Sequence, residues 1–88
     1  MKVLKFGAIW CSGCLVMKPI WAEIEKELPW LETEYYDVDQ QKEISKKYDI
    51  VDLPTFVFLD KENNEIHREY GEIGKKSLIE IINKYKDK

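Results

Sequence analysis

The chain has 88 residues, room for one small domain and too few for two. Fourteen Lys and Arg against seventeen Asp and Glu leave a net charge of −3 at pH 7, which excludes the basic surface that grips a phosphate backbone, so no nucleic-acid partner is expected. Hydrophobic residues at 44% and charged residues at 35% exclude a disordered or fibrous chain and suit a soluble globular one.

Val3 to Ile9 is an apolar run broken only by Lys5, the pattern of a strand covered on both faces in an α/β sheet. From Cys14 the period becomes helical: Val16, Ile20 and Ile24 are four apart, Met17, Trp21 and Leu28 adjoin them, and Glu23, Glu25, Lys26 and Glu27 face outward. Pro19 lies inside that stretch and should kink it, because proline lacks the amide hydrogen and crowds the carbonyl four residues back; Pro29 should end it. Thr33 to Val38 alternates as a second strand, with Tyr36 and Val38 on one face and Thr33, Tyr35 and Asp37 on the other. Gln40 to Tyr48 predicts a short helix with Ile44 and Tyr48 inward.

Thr55 to Leu59 and Glu65 to Tyr70 predict a hairpin around Lys61 to Asn64, since Asn tolerates the positive φ such a turn needs. Within it Ile66 and Tyr70 fall on one face, and His67 alternates outward on an edge strand. Lys75 to Tyr85 closes the chain as an amphipathic helix with Leu78, Ile81, Ile82 and Tyr85 toward the sheet. The order is β-α-β-α-β-β-α. Trp21, Trp30, Phe56 and Phe58 are expected in the core or at its edge. No run approaches the ~20 apolar residues of a membrane helix, and neither end carries a secretory pattern, so no membrane association and a cytoplasmic location are expected.

The two cysteines, Cys11 and Cys14, enclose two residues. A disulfide stabilises mainly by restricting the unfolded chain, and a ring this small restricts little. A structural zinc takes four ligands, and the chain offers this pair and the distant His67, so no metal is expected within one chain; a site shared across a dimer stays open. The remaining use is reversible thiol–disulfide exchange. The pair stands where the first strand meets the first helix. Unpaired N–H groups and the helix dipole stabilise a thiolate there, which fits Cys11 as nucleophile and Cys14 as the resolving thiol.

Trp10-Cys11-Ser12-Gly13-Cys14, Pro19 five residues on, Asp52-Leu53-Pro54-Thr55 and Gly71 together resemble the thioredoxin family over almost the whole chain. The resemblance implies a thioredoxin fold, a central four-stranded mixed sheet flanked by three helices, without the additional N-terminal strand and helix of longer members. It implies a cis Leu53–Pro54 bond against the dithiol and a docking surface of Trp10, Ser12, Gly13, Leu53, Pro54 and Gly71, with Ile73 a further candidate. It also implies disulfide-containing protein substrates, a thioredoxin-reductase-like electron donor, no cofactor and a monomer.

Three departures from the family pattern carry expectations. Ser12-Gly13 replaces the usual Gly-Pro, which frees the reduced loop and should make the couple more oxidising. Lys5 stands where the family keeps a buried aspartate, with Tyr35 in place of its lysine partner, so Lys5 either extends to solvent or modulates the thiols. Asp52 adds a negative charge beside the docking surface and should bias the choice of partner. A glutathione-dependent, glutaredoxin-like enzyme and a non-catalytic binding module are the alternatives.

Overall fold

Along the first strand Val3 and Lys5 point to one side and Leu4 and Phe6 to the other, and both sides are covered. The computed structural model describes residues 1–88. Its elements are β1 (Lys2–Gly7), α1 (Ser12–Glu27), β2 (Glu32–Asp37), α2 (Lys42–Lys47), β3 (Thr55–Leu59), β4 (Glu65–Tyr70) and α3 (Lys75–Tyr85). They form one sheet in the order β2-β1-β3-β4, with β1 parallel to β2 and antiparallel to β3, and β4 antiparallel to β3. On one face Val3, Phe56 and Phe58 pack against Met17, Trp21 and Ile24 of α1 and Leu78 and Ile82 of α3. On the other, Leu4, Phe6, Val57 and Leu59 meet Tyr36, Ile44 and Tyr48, so α2 covers that side. No helix is long and apolar enough to cross a membrane.

The hairpin strands and α3 have the bounds expected from the sequence; the first half of the chain departs in detail. β1 ends at Gly7, not Ile9: Ala8 is buried, the chain turns, and Ile9 is 83% exposed. α1 begins at Ser12 because Cys11 caps it, and the one helix carries the exposed Pro19 within its length. Its inward stripe is Cys14, Met17, Trp21 and Ile24, leaving Val16 exposed and Ile20 at the edge. Glu25 is half-buried rather than outward-facing. Trp30 is exposed because the turn after α1 buries Leu31 instead.

β2 is displaced one residue toward the N-terminus, and α2 is shorter than Gln40 to Tyr48. Asp37 Oδ1 accepts the N–H groups of Asp39 and Gln40 at 2.8 and 3.2 Å, and Gln41 Oε1 accepts that of Asp37 at 2.7 Å, holding these residues in a turn. In β4 the register shifts between Phe58 and Leu59, where Leu59 pairs with Glu65 and Phe58 with His67. The bulge sends Ile66 toward the α1/α3 core, so Ile66 and Tyr70 do not share a face. His67 is not an outward surface residue: it is half-buried, edge-on to Phe58 and stacked on Tyr85 with centroids 5.5 and 5.4 Å away.

Candidate active site

Cys11 is the N-cap of α1, with an extended backbone (φ −89°, ψ 109°) that turns its side chain back over the first helical turn. Its Sγ accepts the N–H of Cys14 at 3.1 Å, so one of the free amides of the helix start points at this sulfur. The two cysteines are joined as a disulfide with α-carbons 5.2 Å apart. Exposure does not separate them, at 7% and 9%; the N-cap position and the amide contact do.

An open groove of about 350 Å³ lies at Cys11, and all six expected docking residues, Trp10, Ser12, Gly13, Leu53, Pro54 and Gly71, line it beside that sulfur. Trp10 is 68% exposed, and its Nε1 donates to Asp39 Oδ2 at 2.7 Å, which fixes the indole beside the sulfur. The Leu53–Pro54 peptide bond is cis. The N–H and C=O of Leu53 make no hydrogen bond within the protein, leaving that backbone free to pair with another segment. Gly71 has φ +80°, a conformation L side chains rarely adopt, and its N–H donates to the Pro54 carbonyl at 2.8 Å, tying the groove floor to the end of β4. Asp52 is exposed in an adjoining groove shared with Trp10, Cys11 and Leu53. Ile73 is outside the groove: its N–H meets Met17 Sδ at 3.4 Å and its side chain packs on the main core.

Beneath Cys14 is a second cavity, of about 190 Å³, between β1, β2 and α1. Lys5 lines it and does not reach solvent freely: its Nζ donates to Glu25 Oε2 at 2.5 Å and lies 5.7 Å from the Trp21 ring centroid. Thr33 Oγ1 donates to the same carboxylate oxygen at 3.0 Å. Strand alternation explains the grouping, because Lys5 and Tyr35 are cross-strand partners on the face that α1 covers. Burial of its hydroxyl, reinforced by the charge of Asp37, raises the Tyr35 pKa above the ordinary phenol value.

The helical period puts Glu25 on the outer face, and no sequence pattern marks Gly7 or Asp39. The pairing of Glu25 with Lys5 carries no periodic signal, and Gly7 is the strand residue where a larger side chain would crowd Cys14 and Tyr35.

A family model described as Thioredoxin matches residues 1–84. Thioredoxin H5 of Oryza sativa subsp. japonica is 41% identical over 69 residues, covering 78% of this chain and 50% of the relative. The thioredoxin of Chlamydia trachomatis is 30% identical over 85 residues, covering 97% of this chain and 82% of the relative. The chain spans about half the length of the plant H-type relatives it matches. Among solved structures, the thioredoxin of Fasciola hepatica superposes with a TM-score of 0.88 at 36% identity, covering 96% of this chain and 79% of that one.

Proposed function

This chain belongs to the thioredoxin family, and from that premise we propose that it is a thiol–disulfide oxidoreductase that reduces disulfides in partner proteins. The observation that carries the reading is the Cys11 sulfur at a helix N-cap, already accepting a backbone N–H. Reduced, that sulfur is a thiolate held by the same amide and by the helix dipole. Lowering a thiol from pKa 8.5 to about 7 raises its ionised fraction at pH 7 roughly fifteenfold, and the accompanying fall in nucleophilicity leaves about a threefold gain in rate.

The Cys11 thiolate attacks one sulfur of the partner's disulfide, and the other leaves with the bonding pair and takes a proton. Cys14, deprotonated, then attacks Cys11 Sγ, closing the ring disulfide and releasing the partner's second sulfur. Two electrons pass to the partner, and a thioredoxin-reductase-like donor reopens the ring. Trp10, Ser12, Gly13, Pro54 and Gly71 form the walls of the docking groove, and the free backbone of Leu53 pairs with the extended segment that carries the partner's disulfide. Asp52 biases that choice by charge, and Lys5 acts from below through its pairing with Glu25. A monomer working in the cytoplasm, with no cofactor, completes the reading.

The test is insulin reduction driven by dithiothreitol. The wild-type chain should accelerate it, and Cys14→Ser should stall as an isolable mixed disulfide through Cys11. No acceleration, or turnover by Cys14→Ser equal to wild type, would refute the reading.

A further inference from the structure

Gly7 has no side chain, and a methyl there would lie 2.9 Å from Tyr35 Oη and 3.1 Å from Cys14 Sγ, so both groups border the space the glycine leaves. We propose that the Tyr35 hydroxyl is the hydrogen-bond donor that stabilises the Cys14 thiolate during resolution of the mixed disulfide, an inference that rests on the exchange reading above. In the disulfide Cys14 Sγ carries no charge and is at most a weak acceptor; opening the ring and ionising the thiol makes it a charged one.

The ionisable groups around Cys14 narrow the choice. Apart from Cys11, they are Lys5 from β1, Lys18 and Glu25 from α1, and Tyr35 from β2, all lining the cavity. Lys5 and Glu25 are bonded to each other, and Thr33 donates to the same Glu25 oxygen, so the pair presents little net charge and the carboxylate is already engaged. Lys18 is exposed. Tyr35 remains, and burial together with Asp37 keeps its hydroxyl protonated well above neutral pH, which makes it a donor rather than a base.

The step balances without a co-reactant. The Cys14 proton passes to solvent, the thiolate forms its bond to Cys11 Sγ, and the Cys11–partner bond breaks. The partner's sulfur leaves with the electron pair and is protonated, and Tyr35 keeps its own proton throughout.

The experiment titrates Cys14 by its ultraviolet thiolate absorbance in a Cys11→Ser background, with Tyr35 and with Tyr35→Phe, which deletes only the oxygen. Loss of a hydrogen bond to a charged sulfur should raise the Cys14 pKa by about one unit, the low end of the range because Tyr35 is half-exposed. In the otherwise native chain, resolution of a preformed mixed disulfide should slow about threefold, since the thiol that is less ionised is also the better nucleophile. Cys11, titrated in a Cys14→Ser background, should not move. Tyr36→Phe, on the face packed by α2, should leave Cys14 where it is. A Cys14 pKa unmoved by Tyr35→Phe, or an equal shift of Cys11, would overturn the proposal. The titration needs no partner protein, so inactivity of the wild-type chain toward protein disulfides would count against the exchange reading alone.

Discussion

Gly7→Ala probes the contact between sheet and disulfide most sharply. Alanine loses less backbone freedom than glycine on entering an extended strand, by about 0.5 kcal/mol at a strand end such as Gly7, so the backbone favours the change. Space opposes it, because the new methyl would stand 2.9 Å from the Tyr35 hydroxyl and 3.1 Å from Cys14 Sγ. Tyr35 is 46% exposed and can swing outward at small expense. The sulfur can give way only when reduced, since in the disulfide it is tethered to Cys11. Overpacking costs about 1–3 kcal/mol, so the reduced form should stay within about 1 kcal/mol of wild type while the oxidised form loses about 1 kcal/mol more. A penalty confined to the disulfide favours reduction and should raise the couple's potential by about 20 mV. Urea unfolding of each redox form, read by tryptophan fluorescence, and equilibration with a glutathione buffer give the two sides of the cycle. An oxidised Gly7→Ala as stable as wild type, with an unchanged or lower potential, would refute the reasoning.

Gly13→Pro loses no backbone hydrogen bond, because the Gly13 N–H makes none at the start of α1, although its ring must push Pro54 Cδ, 3.1 Å from the added carbon, by a few tenths of an ångström. Stiffening the reduced loop by about 0.4–1 kcal/mol should lower the potential by about 10–20 mV, and a rise would contradict the entropic account of Ser12-Gly13. Glu25→Gln leaves the Lys5 ammonium, 16% exposed, without its carboxylate and should cost about 1–2 kcal/mol in urea unfolding; adding Lys5→Met should recover most of the loss, and additive losses would show the pair to be inert. Tyr36 donates to Glu34 at 2.6 Å, and that bond, with partial burial, pushes its pKa up to about 12 while holding Glu34 below the usual carboxylate range. The Tyr36 contribution to stability is therefore fully present below its unfolded pKa of about 10 and is lost as pH rises through about 12, and that of Glu34 is lost on acidification below its unfolded pKa. Tyr36→Phe should flatten the alkaline loss in a pH series of thermal unfolding, and an unaltered alkaline limb would exclude this pair as its source.

The bounds of β3, β4 and α3 were legible to the residue because their signals are local. Pro54 precedes a wholly buried apolar run, Asn63 takes φ 65° in the turn, and Asp60 Oδ1 accepts the N–H groups of Glu62 and Asn64. The bulge at Ile66 was not legible, because it changes which residues oppose one another without altering the composition of either strand. The turn that shortens α2 depends on Asp37 and Gln41 bonding across four residues, a pattern no apolar period registers. At the site, spacing and position identified the cysteines and the groove. The cavity below Cys14 has no sequence signature because it needs the Lys5–Tyr35 register and a glutamate from the far end of α1 at once, and each residue alone looks like ordinary surface.

The most direct test of the central claim is the pKa of Cys11 itself, titrated in Cys14→Ser by thiolate absorbance and by the pH dependence of alkylation. A sulfur that caps α1 and accepts a backbone N–H should titrate near 7, well below the ~8.5 of a free thiol, and should react as the thiolate at neutral pH. A Cys11 that titrates at about 8.5 or higher would contradict the account.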